Sequence, residues 1–151
     1  MRRKDREITD RDEILDIVRK ARFCRLAFCD GNTPYIVPVN FGYTDNALYI
    51  HCAPAGRKID IIKRNNTVCF QMDVDLHLKE GERACDWSLG YRSVVGWGSA
   101  QILDTPADLR EGLRIIMRQY SKRNYEFSES DLKGVTVIKI VISRLTGKKS
   151  I

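Results

Sequence analysis

The sequence predicts a mainly β protein with some α-helix, built as an antiparallel barrel of about six strands with two or three flanking helices. Strand-like runs in the first half of the chain are joined by connections short enough for hairpins. Residues 67–74 alternate cleanly between apolar and polar side chains, which is typical of a half-buried strand. The alternation of strands and helices that would indicate a parallel sheet is missing from the sequence. A small antiparallel barrel with helices at its rim fits these patterns best.

The length and composition are those of one globular domain. The chain has 151 residues, of which 43% are apolar and 30% charged, and this is enough to bury a core. No apolar run approaches the roughly 20 residues of a membrane helix. The charged N-terminal residues 1–14 have no apolar segment behind them, which argues against a secretory signal. We therefore expect a single domain over residues 1–151, located in the cytoplasm and without a membrane partner.

The cysteines favour the same compartment. Their number is five, which is odd, and no C-x-x-C pair occurs. Three of them lie in apolar strand-like runs, where a thiol behaves as a small hydrophobic group. We therefore expect neither a disulfide framework nor a metal site.

Residues 10–21 have the period of an amphipathic helix. Apolar residues recur at i, i+3, i+4 and i+7 from Ile14 onwards. Asp10 followed three residues later by Glu13 matches a capping box. No polar side chains converge on this helix, so we assign it a structural role.

Strands are predicted from apolar alternation and from the turns between the runs. They cover residues 23–29, 33–41, 47–52, 67–74, 91–103 and 135–142. Pro38 in the second strand cannot donate a ladder hydrogen bond, which places it on an edge strand or at a bulge. Gly96 and Gly98 in the fifth strand permit a sharp bend or close contact with a ligand.

Two further helices and two irregular segments complete the predicted architecture. A brief helix covers residues 57–64, and Thr105 and Pro106 begin a third helix as its cap and first residue. Residues 75–90 are polar and irregular, so we expect a lid or an excursion towards a partner. Residues 143–151 are expected to form a C-terminal tail.

Residues 34–58 contain the strongest functional signal in the chain. A loop of small residues, 53–56, follows the third strand and allows backbone to approach a ligand closely. The loop delivers Arg57 and Lys58 to the start of a helix, where free N–H groups and cations suit a phosphate. The pattern predicts a phosphate-bearing ligand at the end of a β-hairpin.

Side chains capable of catalysis are scarce. Of the two histidines, His51 ends a strand beside the small-residue loop, and both a structural and a catalytic role stay open for it. His77 lies in a polar segment and is expected to be exposed. No Ser-His-Asp order, G-x-S-x-G motif or P-loop is present. A phosphate site with so little chemistry of its own indicates a cofactor that brings its reactivity.

Three runs of sequence carry a resemblance to a known family. In chain order they are VPVNF, ALYIHCAPAGRKIDIIKRNNTVCFQM and YRSVVGWGSAQIL. Together they resemble the pyridoxamine 5′-phosphate oxidase-like, FMN-binding split-barrel family, and within it the nitroimidazole-resistance branch. The resemblance spans residues 14–147 and is most specific at the His51-x-Ala53-x-x-Gly56-x-Lys58 spacing.

The resemblance implies a homodimeric, FMN-dependent oxidoreductase with its flavin sites at the subunit interface. It implies reduction of nitroimidazoles or other small electrophiles with a nicotinamide donor, NAD(P)H. Arg57 and Lys58 would hold the FMN phosphate, and Ser93 would reach the flavin from the other subunit. Trp97 would cover the dimer core or simply pack in the core. The other implied cofactor-binding residues are Pro38, Val39, Asn40, His51, Cys52 and Ala53.

Alternatives of other classes stay open. One is a flavin- or heme-binding protein without turnover, in which His51 or His77 would ligate the metal. Another is a small basic barrel that binds single-stranded nucleic acid, since the net charge is +6. The dispersed cations disfavour nucleic acid. A second basic cluster that would grip pyridoxamine 5′-phosphate has only a loose equivalent in Arg144 and Lys148, so oxidation of that compound is not assigned.

Overall fold

One antiparallel sheet of eight strands organises residues 3–150, the part of the chain that the computed structural model describes. The strands are β1 (Glu7–Ile8), β2 (Cys24–Asp30), β3 (Thr33–Val39), β4 (Gly42–Thr44), β5 (Ala47–Cys52), β6 (Thr67–Lys79), β7 (Ser88–Leu103) and β8 (Thr136–Ser150). The helices over the same residues are α1 (Arg11–Lys20), α2 (Arg57–Arg64) and α3 (Pro106–Tyr120). None of them is both long enough and apolar enough to cross a membrane. The predicted fold class, mainly β with flanking helices, is confirmed.

The sheet curves into a barrel because its two end strands are consecutive in the chain. Its order is β3-β2-β6-β7-β8-β5-β4, with β1 beside β8. Laid flat at about 4.8 Å per strand, the ends would be roughly 29 Å apart. Only residues 40–41 join β3 to β4, and three Cα–Cα steps span at most about 11 Å. No ladder pairs β3 with β4 within residues 3–150, so the barrel is split there; residues 40–41 are called the seam below.

The barrel interior and two helices share one apolar core. α1 and α2 pack apolar faces against side chains of the strands in this core. The strand and seam residues with the largest fully buried side chains include Leu26, Phe28, Phe41, Leu48, Ile50, Phe70, Met72, Ile138 and Ile140. The residues contributed by the two helices are Ile14, Ile17, Val18, Ile59, Ile61 and Ile62. Burial of apolar surface on this scale is the main term that stabilises the fold.

α3 lies on the outside of the barrel, against β4, β5 and β8. Side chains alternate between the two faces of a strand, so Val137 of β8 points away from Ile138 and the interior. Val137 packs instead with Leu109 and Leu113 of α3 in a second, smaller core. The C-terminal residue of α3, Tyr120, lies at the seam, where its hydroxyl accepts a hydrogen bond from the N–H of Phe41.

The N-terminal end of α1 differs in one detail from the predicted capping box. The Asp10 carboxylate accepts a hydrogen bond from the backbone N–H of Asp12, at 3.0 Å, and so caps the helix as expected. Glu13 does not complete the box, because its two carboxylate oxygens bind the ammonium group of Lys149 at 3.0 and 3.1 Å. This ion pair ties α1 to the end of β8.

Residues 75–90 form a β-hairpin, and the expectation of an irregular segment was wrong. β6 and β7 both continue into it, and Leu78 pairs with Leu89. A bulge follows Val74, with Asp75 at φ +56°, and shifts the register of the strand. The apolar alternation of the sequence continues across the bulge at Leu76 and Leu78, but both side chains are 59% exposed, so this part of the strand lies outside the core. This hairpin, residues 75–90, is called the arm below.

The predicted C-terminal tail is also wrong, since residues 143–150 continue β8. This part of the strand pairs with β7 on one side, where Gly147 lies opposite Val94, and with β1 on the other, where it lies opposite Ile8. Residues 143–150 are mostly polar and lack the apolar alternation of a strand, but pairing on both sides holds them in one. Strand formation here follows from tertiary context, which local pattern does not report.

Candidate functional site

One cleft collects most of the residues that the small-residue loop and the family resemblance marked as a site. It has a volume of about 470 Å³, within the range of small-molecule sites. It lies where the seam meets the end of β5 and the start of α2, and is called the seam cleft below. Its lining residues are Pro38, Val39, Asn40, His51, Cys52, Ala53, Lys58, Gly134 and Val135.

The walls of the cleft come from segments that are distant in sequence. The end of β3 and the first residue of the seam, 38–40, supply one wall, and the end of β5 with the following residue, 51–53, supplies another. Cys52 pairs with Thr136 across β5 and β8, which brings residues 134–135 beside the end of β5. Pairing in the sheet therefore assembles the cleft.

The first turn of α2 offers unpaired backbone donors at this cleft. Gly56 is the N-cap residue, at φ +120°, and no side chain of the described residues caps the helix. The first intrahelical bond runs from the N–H of Asp60 to the carbonyl of Gly56, so the N–H groups of residues 57–59 have no partner inside the helix. A Cβ built on Gly56 would meet no atom within 4 Å, so the space in front of this turn is open.

Lys58 makes the cleft electropositive. None of the nine lining residues is acidic, and Lys58 is the one lysine or arginine among them. Burial raises the pKa of the Cys52 thiol, and the nearby positive charge of Lys58 partly offsets that rise. An ammonium group beside free N–H groups at a helix N-terminus is suited to an anion such as a phosphate.

Two residues predicted to bind the cofactor, Arg57 and Ser93, do not line the seam cleft of a single chain. The guanidinium of Arg57 lies over the ring of Tyr35, 4.5 Å from its centroid, and 3.6 Å from the carboxylate of Asp30. Ser93 is buried on β7, where its hydroxyl donates a hydrogen bond of 3.5 Å to the carbonyl of Lys148. Their cofactor roles, including the position of Ser93 across a subunit interface, stay predictions.

Gly134 and Val135 belong to the cleft although no motif in the sequence marked them. Gly134 has φ +73°, the left-handed conformation that glycine adopts without steric cost. A glycine after a polar stretch and before a strand is a local signal for a turn, not for a site. Their place in the cleft depends on the pairing of β5 with β8, which only the folded chain shows.

A sequence model of the family described as pyridoxamine 5′-phosphate oxidase matches residues 10–149. The chain belongs to this family. The match covers most of the chain and confirms the family that the resemblance predicted.

Solved structures share the fold of this oxidase-family chain. A candidate 5-nitroimidazole antibiotic resistance protein from Bacteroides thetaiotaomicron is 33% identical, with a TM-score of 0.84 over 95% of this chain and 86% of that chain. It confirms the predicted resemblance to the nitroimidazole-resistance branch. Two more distant structures show the fold alone. The flavocytochrome Anf3 from Azotobacter vinelandii is 17% identical, with a TM-score of 0.85 over 100% of this chain and 72% of that chain. An FAD-binding protein from Mesorhizobium loti is 23% identical, with a TM-score of 0.70 over 97% of this chain and 98% of that chain.

A curated relative matches a shorter part of the chain. An uncharacterized protein from Rhizobium meliloti is 35% identical over 65 residues. The matched part is 43% of this chain and 42% of that protein, so it spans less than half of the relative's length.

Proposed function

We propose that this chain binds FMN in the seam cleft and acts as an oxidoreductase. Its substrates are nitroimidazoles or other small electrophilic compounds, with NAD(P)H as the electron donor. The observation that carries the proposal is the uncapped first turn of α2 beside Lys58, in a cleft lined by no acidic residue. Membership of the oxidase family and the similarity to a candidate nitroimidazole-resistance protein support it.

The phosphate of FMN is assigned to the first turn of α2. The N–H groups of residues 57–59 donate to its oxygens, and the ammonium of Lys58 supplies a full positive charge. Gly56 leaves the approach open, because it has no side chain. Since the cleft residues already hold a cation and unpaired donors, they fit a phosphate and do not fit a cationic group.

The ring and ribityl chain of the flavin are assigned to the walls of the cleft. Pro38 and Val39 offer apolar surface, and Asn40 offers polar groups at the seam. Bound FMN supplies the hydride and electron chemistry that the side chains lack. His51 is exposed, lines the cleft and is the candidate to orient a substrate or to hold a proton.

We also propose that the working unit is a homodimer joined through the outer face of β7. The inner-face side chains of β7 pack in the core. Alternation along the strand puts further apolar side chains on its outer face. The outer residues at this alternation are Leu89, Tyr91, Ser93, Val95 and Trp97. Leu89 is 47% exposed and Tyr91, Val95 and Trp97 are half-buried, and a stripe of apolar side chains along the outside of a barrel is typical of an interface. Ser93 has the same alternation phase but is buried within one chain, so its predicted reach into a partner's flavin site rests on the family resemblance.

The phosphate assignment is tested by comparing FMN with riboflavin, which lacks the phosphate. We expect Lys58→Ala to weaken FMN binding about tenfold or more, because a hydrogen bond to a charged group contributes roughly 1.5–3 kcal/mol. Riboflavin affinity should not change in the same variant. Flavin fluorescence during titration measures both dissociation constants.

Lys63→Ala is the matched control, because it removes a cation from the last turn of the same helix. Lys63 lies outside the seam cleft, so we expect its loss to change FMN affinity by less than about threefold. Wild-type protein that binds FMN no more tightly than riboflavin would contradict the phosphate site. Reduction of a nitroimidazole with NADH or NADPH tests turnover, and tight binding without turnover would favour the non-catalytic alternative.

A further inference from the structure

The backbone N–H of Phe41, in the seam, donates its hydrogen bond to a side chain and not to a neighbouring strand. Phe41 lies between β3 and β4, outside both ladders, and its side chain is fully buried. Its N–H donates a hydrogen bond of 2.9 Å to the hydroxyl of Tyr120, the last residue of α3. Leaving a buried N–H without a partner costs free energy. This hydrogen bond therefore stabilises the seam in its observed position.

The Tyr120 hydroxyl is fixed from its other side as well. It donates a hydrogen bond of 3.0 Å to the carbonyl of Arg22, which follows α1. The hydroxyl thus both donates and accepts, and it joins the seam to the segment between α1 and β2. It has little freedom to follow a seam that shifts.

The preceding residue, Gln119, has a separate role. Its side-chain amide donates to the carbonyls of Val18, Arg19 and Ala21 at 3.0, 3.1 and 3.1 Å, which satisfies the C-terminal end of α1. Gln119 therefore fastens α3 to α1, and Tyr120 fastens α3 to the seam. Adjacent residues allow the two effects to be separated by mutation.

We propose that Tyr120 is a positioning residue for the seam cleft. Its hydroxyl holds the amide of Phe41, and through the adjoining peptide it sets the place of Asn40 and of the wall formed by residues 38–40. The inference rests on the proposed function, since that wall is where the flavin ring is assigned. Within residues 3–150, β3 pairs with β2 alone, so no ladder in this part of the chain holds the wall on its seam side.

Tyr120→Phe tests the proposal, because it keeps the ring and removes only the hydroxyl. We expect FMN to bind about tenfold more weakly and the melting temperature to fall. Gln119→Ala should also lower the melting temperature, but it should leave FMN affinity within about twofold, since it does not touch the seam. A purely structural role for Tyr120 would instead make affinity follow stability equally in both variants.

Tyr125→Phe serves as the matched control for loss of a tyrosine hydroxyl. The Tyr125 hydroxyl lies 3.4 Å from that of Ser121, and its residue lines a different cleft beside α3. FMN affinity in this variant should equal that of the wild type. FMN affinity that is unchanged in Tyr120→Phe would overturn the proposal.

Amide hydrogen exchange keeps the proposal testable whether or not FMN binds. In protein without flavin, the Phe41 amide should exchange slowly in the wild type and in Tyr125→Phe, and faster in Tyr120→Phe. If the wild type binds no FMN, the proposed function fails, and this exchange pattern alone decides for the positioning role. Equal Phe41 exchange in all three proteins would overturn it.

Discussion

Arg57 and Lys58 are adjacent in sequence, yet they contact different parts of the molecule. Lys58 lines the seam cleft, whereas Arg57 lies over Tyr35 and near Asp30. Their spacing after a small-residue loop predicted that both suit a phosphate. The separation could not be predicted, because Tyr35 and Asp30 reach Arg57 from another hairpin through long-range contacts that local sequence does not report.

Cys52 provides a test of the cleft that does not depend on turnover. Burial raises the pKa of its thiol, so little reactive thiolate is present at about pH 8. Alkylation by iodoacetamide at that pH should therefore be slow. FMN at about ten times its dissociation constant should slow this reaction a further tenfold, by occupancy alone. Peptide mass spectrometry follows the modification.

Cys69 is the internal control for this protection. It is also half-buried with a thiol pKa raised by burial, but it lies outside the seam cleft. FMN should leave its alkylation rate unchanged. Equal rates for Cys52 with and without saturating FMN would place the flavin elsewhere.

The elements differ in how far local pattern predicts them. Most strands and all three helices follow from apolar periodicity and from caps such as Asp10 and Thr105. Strands β1 and β4 are two and three residues long and have no periodicity to read. The first strand of the arm was missed although apolar residues still alternate at Leu76 and Leu78, and the end of β8 was missed because its pairing is long-range.

The contact between α3 and β4 yields a prediction for Gly42. A Cβ at this position would lie 2.4 Å from the carbonyl oxygen of Ile115, and backbone cannot yield as a side chain can. We expect Gly42→Ala to lower the free energy of unfolding by about 3 kcal/mol, as overpacking of a close contact does. Urea denaturation measures the change.

Gly31→Ala is the comparison variant for Gly42→Ala. Gly31 has φ +60°, but a Cβ there would meet nothing within 4 Å. Only the cost of a left-handed conformation applies, about 1 kcal/mol. Equal losses of unfolding free energy in the two variants would show that α3 does not rest closely on β4.

At the scale of the whole molecule, closure of the barrel was predictable and the seam was not. Hairpin-length connections and the missing strand–helix–strand alternation predicted an antiparallel barrel. Local periodicity carries no strand order, so it could not show that β3 and β4 end at opposite sides of the sheet. The seam cleft depends on that order, and so does the place of residues 134–135 in it. The walls at residues 38–40 and 51–53 were predicted through family resemblance instead.

The proposed dimer gives a prediction for the outer face of β7. Val95→Lys places a charge in the centre of the apolar stripe, where burial against a second copy would be costly. We expect the wild type to sediment as a dimer and Val95→Lys to dissociate at micromolar concentration, with loss of FMN affinity. Analytical ultracentrifugation measures the association.

Val141→Lys is the control for that substitution. Val141 is 39% exposed on β8, and it lies outside the stripe. Its variant should remain dimeric. A wild type that is monomeric at all concentrations would contradict the proposed interface, and it would leave Ser93 without a flavin to reach.

The position of β3 at the end of the sheet has a consequence for aggregation. An unpaired strand edge is a template on which a strand from another molecule can add, and a barrel that stays split must protect that edge. Pro34 and Pro38 both lie in β3, and proline is accepted in a strand where its missing N–H faces away from the ladder. The two prolines therefore remove donors from the free edge. The gap beside the cleft can stay open to a small molecule while it resists edge-to-edge assembly.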